Sequence, residues 1–392
     1  MVANEAATRV PALVVGNGLS ALGVMRSFGR ARIPFYNLNA QHDYVASSRW
    51  YRPVPAGLDD GEPLADGLRR LPLERAVLFT TSDDRVREVS MLDATLAARF
   101  PSSISSPATI DALLDKLAFA RLLVAHDVPH PRTFELIDER DLAVVPDDVF
   151  PSCFLKPRHS LAFNRHYKTK GVRVTSRDEA RDRFRQIRAD GFDVILQEYI
   201  PGDASAHYFL DGFIDRNGNV CGMFARRRIR MYPALFGNSS SMISVGVGEV
   251  TDAVRDVERL LLGIGYRGIF SAELKRDPRD GVFKLLEVNC RPWWFNGFAA
   301  DCGVDVTLMA YNDALALPVD RVTRYREGAK LISSFNDLRA CRQSRARLLP
   351  AFRFWLGARD AMFSGDDPLP FFRYATEQVM RIAKGLVRRV VR

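Results

Sequence analysis

The sequence is poor in the residues that build common metal and nucleophile sites. Its 392 residues include six histidines and five cysteines. The cysteines, Cys153, Cys221, Cys290, Cys302 and Cys341, are odd in number, far apart and never in C-x-x-C spacing. That argues against a disulfide framework and against zinc-finger chemistry, and predicts free thiols in a reducing compartment. No apolar run reaches transmembrane length. The start, Met1-Val2-Ala3-Asn4-Glu5, lacks the basic region of a signal peptide, so a cytoplasmic protein is expected. No G-x-x-x-x-G-K-[ST] occurs, which excludes the P-loop way of holding phosphates. Acidic residues are also short: 47 Asp and Glu against 56 Lys and Arg leave a net charge of +9. Such a balance favours anionic partners, whether nucleotides, acidic metabolites, nucleic acid or a membrane surface. No RNP-like or zinc-finger pattern is present and the basic residues are spread through an α/β body, so nucleic acid is not the expected partner.

A hydrophobic content of 47% supports a substantial core, and the length suits about two to three domains. Residues 9–112 alternate strand and helix: Val10–Val15, a helix to about Ala31, Ile33–Leu38 and Ala76–Phe79. This rhythm implies a parallel sheet. Gly16, Gly18 and Ala21 match the dinucleotide fingerprint G-x-G-x-x-G/A, which opens the alternative of an NAD(P)-binding oxidoreductase. The second strand, however, ends Asn37-Leu38-Asn39, without the carboxylate that a ribose requires. Residues 107–135 change character: amphipathic helix through Asp111–Leu123 then meets Pro129 and Pro131, a domain junction. Lys116 is either an ordinary helix-surface lysine or one aimed at phosphates from that joint.

Residues 151–203 are more specific. Cys153–Pro157 reads as a short buried strand ending in Lys156, and a lysine there calls for an anionic partner. Residues 158–171, rich in His, Asn, Lys and Arg, read as a mobile basic loop suited to closing over phosphates. Val194–Asp203 is a strand running into a turn. A hairpin follows around Asp215-Arg216-Asn217-Gly218-Asn219. Arg226, Arg228 and Arg230 share one face of its second strand, as a solvated edge or as an anion site.

The stretch 271–296 organises the rest. Two apolar-rich segments flank Asp277-Pro278-Arg279-Asp280-Gly281, a hairpin signal. Residues two apart share a strand face, so Glu287, Asn289 and Arg291 align, with Leu286, Val288 and Cys290 turned to the core. Pairing the strands brings Glu273 opposite Glu287. Two carboxylates and an amide on one face fit a Mg²⁺ ion shared with substrate phosphates. The plainer reading is a solvated polar face with surface ion pairs.

In order, strand-Lys156-Pro157, the basic loop to Gly171, Gln197-Glu198-Tyr199-Ile200-Pro201-Gly202-Asp203, Glu273, and Glu287-x-Asn289-x-Arg291-Pro292 resemble the ATP-grasp superfamily. Within it, the chain resembles the carboxylate–amine ligase branch, with D-aspartate ligase and carbamoyl-phosphate-synthase-like members. The resemblance covers roughly residues 9–320 and implies an α/β and α+β fold. Residues 1–112 would form a Rossmann-like pre-ATP-grasp domain, 113–200 the small lobe and lid, 201–325 the large lobe with the metal site, and 326–392 a helical, basic C-terminal segment.

The resemblance also implies roles. Lys156 and Lys116 would bind ATP phosphates; Gln197, Glu198, Tyr199 and Ile200 would form the adenine hinge; Asp203 would hold the ribose. Glu273, Glu287 and Asn289 would coordinate Mg²⁺, with Mn²⁺ as a substitute. Arg291 and Arg228, with Lys156, would serve the transfer step. The implied reaction is ATP-dependent amide formation from a small carboxylate and an amine through an acyl phosphate, releasing ADP and phosphate. The 158–171 stretch lacks the family's usual Gly and Ser richness, and Asp203 stands one position from a usual glutamate. Trp293 and Trp294 read as core, or as a substrate wall beside Arg291.

At the C-terminus, Phe371, Ala375, Val379, Ile382, Leu386 and Val390 fall on one helical face, with Arg373, Arg381, Lys384, Arg388 and Arg392 mostly opposite. Packing of the apolar face onto the body is expected. Peripheral docking on an anionic membrane is the alternative.

Overall fold

The computed structural model describes residues 9–54, 62–234, 237–343 and 348–390; for Leu348 and residues 382–390 it describes the backbone alone. Three sheets carry the architecture.

The first sheet has the parallel order β2-β1-β3, from β1 (Ala12–Val15), β2 (Phe35–Leu38) and β3 (Val77–Thr80). Between and after them run α1 (Gly18–Arg30), α2 (Leu64–Arg70), α3 (Asp83–Ser90) and α4 (Ala94–Arg99). All four residues of β1 are buried, as in a strand covered on both faces. Gly16 and Gly18 both have positive φ, and a Cβ on Gly16 would collide with the Thr81 hydroxyl. Close packing at a tight strand-to-helix turn therefore accounts for these glycines by itself.

At the junction, Asp115 ends α5 (Pro107–Leu114) and caps α6 (Lys116–Ala125), accepting from the Leu117 and Ala118 N–H groups. The second sheet is antiparallel, ordered β4-β7-β5-β6, from β4 (Thr133–Glu135), β5 (Cys153–Pro157), β6 (Val172–Val174) and β7 (Val194–Glu198). The expected mobile loop at 158–171 is instead largely helix: α7 (Ser160–Tyr167) follows β5, and α8 (Arg177–Ala189) follows β6. Phe163 is fully buried, stacked on Tyr167 at 4.5 Å and edge-on to Phe192 at 5.4 Å. This i, i+4 aromatic pair anchors a turn of chain whose other side chains are polar, and those polar residues masked the pattern.

The third sheet is ordered β12-β11-β8-β9-β10-β13-β14. It is built from β8 (His207–Ile214), β9 (Val220–Tyr232), β10 (Asn238–Val245), β11 (Gly268–Arg276), β12 (Phe283–Asn289), β13 (Lys330–Ile332) and β14 (Ala358–Asp360). Helix α9 (Thr251–Gly263) packs Val257, Leu260 and Leu261 into the cluster holding Phe270, Leu285 and Val288. Then come α10 (Asn296–Cys302), α11 (Val306–Ala314), α12 (Ser334–Gln343), α13 (Leu348–Trp355) and α14 (Leu369–Val390). The C-terminal segment thus supplies the last two strands at one side of the large sheet, β13 and the edge strand β14, as well as helices.

The expected packed face of α14 does not form as read. Phe371 and Tyr374 meet Phe335, and Gln378 is buried. Val379, placed on the same face by the sequence, is 60% exposed. Ile382, Lys384, Leu386, Arg388, Val390 and Arg392 lie outside the residues whose side chains are described. Among the described residues no helix is long and apolar enough to cross a membrane. All five cysteines are buried thiols.

Candidate active site

The β11–β12 hairpin forms as the sequence implies. Glu273 stands opposite Glu287, and Ser271 opposite Asn289. One correction applies: the register slips between Glu273 and Leu274, where a bulge leaves Leu286 unpaired. Leu285, not Leu286, therefore fills the core position, and Leu286 lines a cavity on the other side.

That cavity, about 120 Å³, lies between the hairpin and the second sheet. Lys156, Lys170, Gln197, Tyr199, Ile200, His207, Arg228, Glu273, Lys275 and Glu287 line it. Lys156 and Glu287, far apart in sequence, thus line one cavity. Lys156 Nζ donates to Gln197 Oε1 at 3.3 Å, and Gln197 in turn donates to Thr133 Oγ1 at 3.0 Å. Glu273 accepts from Arg228 Nη2 at 3.1 Å and lies 3.0 Å from His207 Nδ1. Glu287 has no hydrogen-bond or ion-pair partner among the described residues, although it is half-buried. An unpaired carboxylate in such a place is costly unless a cation or donor completes it.

Charge in the cavity is lopsided. Burial, reinforced by nearby Lys116, lowers the Lys156 pKa to about 8. Burial, with Arg228 adding to it, lowers Lys275 to about 8. Burial would raise the Glu273 carboxyl, but Arg228 and His207 outweigh it and hold Glu273 well below the usual carboxylate range. Burial also pushes His207 down, toward its neutral form. Lysines and arginine thus crowd a space in which Glu287 has no partner and Glu273 is already engaged. A polyanion relieves this strain in a way that a neutral ligand does not.

The hinge strand is only partly open to a ligand. Glu198 is not free: Arg279 Nη1 bonds its carboxylate at 2.6 Å and the Arg132 N–H does so at 3.2 Å. The Tyr199 N–H donates to Ser152 O at 2.7 Å. The buried Ile200 N–H, against the same cavity, has no acceptor among the described residues. Lys275 Nζ sits 4.6 Å from the Tyr199 ring centre and donates to Gly202 O at 2.9 Å. Asp203 caps the short turn Ala204–Ala206 and accepts from the Ser205 N–H and Oγ; it does not line the cavity.

A wider cleft of about 920 Å³ adjoins this cavity through Glu287. Lys116, Asn289, Asp83, Asp84, His159 and Arg165 line it, so Lys116 does face the site rather than bulk solvent. Arg291 lines neither space. Its Nε pairs with Asp83 at the start of α3 at 2.6 Å, and its Nη2 donates to Asn289 Oδ1 at 3.3 Å. Burial would lower the Arg291 pKa; Asp83 outweighs it and raises it. The Arg226–Arg228–Arg230 face is neither a solvated edge nor one anion site. Each arginine has its own carboxylate: Asp211 at 2.6 Å, Glu273 at 3.1 Å and Asp337 at 2.5 Å. Trp293 is core and Trp294 is half exposed.

No family model matches the chain. D-aspartate ligase from Enterococcus faecium is 25% identical over 333 residues, covering 79% of this chain and 76% of that protein. N5-carboxyaminoimidazole synthetase from Staphylococcus aureus shares the fold with a TM-score of 0.62 at 12% identity, over 82% of this chain and 80% of that one. L-amino acid ligase from Bacillus licheniformis does so with a TM-score of 0.57 at 16% identity, over 78% and 74%. The chain has the ATP-grasp fold and resembles the carboxylate–amine ligases in sequence. It is an ATP-dependent ligase of the C–N bond-forming class. The biotin carboxylase domain of Hydrogenobacter thermophilus 2-oxoglutarate carboxylase, in complex with MgADP, has the same fold with a TM-score of 0.63 at 15% identity, over 82% and 73%. These ATP-grasp relatives lend nothing to the oxidoreductase alternative.

Three residues of this ATP-grasp cavity escaped sequence reading: Lys170, His207 and Lys275. A signal existed for two of them. Lys275 is two residues from Glu273 on β11 and so shares its face, and His207 pairs with Lys275 in register. Asp83 carried no local signal at all.

Proposed function

We propose that this ATP-grasp ligase phosphorylates a small carboxylate with ATP and passes the acyl group to an amine, releasing ADP and phosphate. The observation that carries the reading is the unpartnered Glu287 facing Lys156, Lys170, Arg228 and Lys275 in one cavity. The adenine would lie along the hinge with the Ile200 N–H as donor. Lys156 would hold the phosphates, with Lys116 reaching them from the adjoining cleft.

The chemistry needs an anion brought to an anion. The substrate carboxylate oxygen attacks the γ-phosphorus, the bond to the bridging oxygen breaks and ADP leaves. The amine nitrogen then attacks the acyl carbon, phosphate leaves and the ammonium loses its proton. Lys156, Lys170 and Arg228 offset the repulsion of the first step in a space with little water. Arg228 is better placed for this than Arg291, because Arg228 lines the cavity and Arg291 lines neither space. Arg291 would instead shape the acyl-acceptor end of the site.

Mg²⁺ fits the donor set. Among the described residues no group of three or more His, Cys, Asp or Glu could hold a metal alone. That suits an ion bound by Glu287 and Glu273, with Asn289 near, and completed by substrate phosphates. When bound it would neutralise phosphate charge; Mn²⁺ offers similar oxygen chemistry. Asp203 as the ribose contact requires its carboxylate to be shared with Ser205. The buried thiols favour a cytoplasmic setting. Amino acids are the first substrates to try, because two of the relatives are named for them and the wider cleft carries both Asp83/Asp84 and Arg87/Arg165. The test is ADP release with Mg²⁺ across panels of acids and amines. Turnover that needs both partners supports the reading; ATP-independent binding of NADH instead would overturn it.

A further inference from the structure

The last helix carries its apolar stripe on the wrong side for a packed helix. At 100° per residue, Leu369, Phe372, Thr376, Val379 and Met380 fall within a band about 100° wide. That band faces outward: Leu369 is 57% exposed, Phe372 55%, Val379 60% and Met380 50%. The body takes a different side of α14, with Pro370 and Gln378 buried and Phe371 and Tyr374 against Phe335. The three exposed phenylalanines among the described residues, Phe352, Phe363 and Phe372, all belong to the C-terminal segment. Phe363 and Phe372 both contact Phe371, at 5.6 Å between ring centres. Exposed apolar surface gathered in this way marks an interaction site.

Charge names the occupant. Residues 369–392 contain six basic residues, Arg373, Arg381, Lys384, Arg388, Arg389 and Arg392, against one acid, Glu377. Among the described side chains, Arg373 and Arg381 lie outside the apolar band by helical spacing, and the other four add to the segment's positive charge. A second copy laid along the stripe would set like charges together. An anionic lipid surface meets both features: the apolar band enters the acyl boundary and the basic flank meets the headgroups. We infer that α14 docks this protein in the plane of an anionic membrane, lying on it rather than spanning it.

The test is co-sedimentation of the full chain with phosphatidylcholine vesicles, with and without phosphatidylglycerol. Binding should require phosphatidylglycerol and weaken as salt rises. Phe372→Glu with Val379→Glu should lower partitioning at least about tenfold. Each of Lys384→Gln and Arg388→Gln should lower it about fivefold. Phe372 and Val379 do not line the ATP cavity, and the variants should keep whatever ADP release the wild type shows, which verifies their fold. The inference is overturned if the wild type stays in the supernatant or binds both vesicle types alike. It is equally overturned if sedimentation equilibrium finds a dimer that Val379→Glu dissociates, because a second copy then covers the stripe.

Discussion

Two residues carry most of the proposed function, and they should respond to change in opposite ways. Glu287 is an unsatisfied carboxylate that gains a partner only when the site fills. Glu287→Ala should leave folding intact and reduce Mg²⁺-dependent ADP release by about a hundredfold or more, read in a coupled assay. Lys156 is a half-buried cation in a positively charged cavity, with its pKa lowered to about 8. Lys156→Met should therefore stabilise the ligand-free protein at pH 7 by about 1–3 kcal/mol, measured by urea unfolding. The sign follows from linkage: the unfolded lysine keeps its proton to a higher pH, so carrying the charge in the fold is a cost below about pH 8. In the proposed complex, phosphate contacts would favour the protonated form of Lys156. ATP affinity should then fall as pH rises through about 8 and level off below it, a profile that Lys156→Met should flatten. Glu273, Glu287 and Lys156 were legible because strand alternation and an out-of-place charge are local signals. Asp83 was not, because its pairing with Arg291 joins chain positions whose closeness is a property of the whole fold.

At the scale of elements, the hairpin and the basic stretch before Gly171 teach different lessons. The turn residues of 277–281 specified the hairpin and brought Glu273 opposite Glu287. They did not specify the bulge, which moved Leu286 from the core to the cavity wall. A bulge costs one residue of register and leaves no compositional trace. In 158–171 the polar residues suggested a loop, while one buried aromatic pair makes a helix of it. Phe163→Ala should accordingly destabilise the second sheet's lobe by about 3–5 kcal/mol, seen as early loss of protection in hydrogen exchange there. A loop residue would show almost none of this. Helix α14 gave the reverse error: the 3.6-residue period was real, but period alone does not say which side the body takes.

For the whole molecule, three sheets enclose one charged cavity and one wider cleft, and the first sheet's unit reaches the hairpin through Asp83–Arg291. Breaking that bridge should disturb the acceptor end and spare the nucleotide end. Asp83→Asn should lower kcat/KM for the carboxylate or amine substrate about tenfold with the KM for ATP unchanged. The order of elements and the ATP-grasp resemblance were legible along nearly the whole chain, because motif residues recur at strand ends. The two short strands from residues 330–360 were not, being three residues each, with β13 held against β10 and β14 against β13. The most direct test of the central claim is calorimetric titration of MgATP into the wild type and into Lys156→Met. The account predicts one nucleotide per chain in the wild type, lost on omitting Mg²⁺, and binding at least about tenfold weaker in the variant. Equal affinity in the two proteins, or no heat in the wild type, would contradict it.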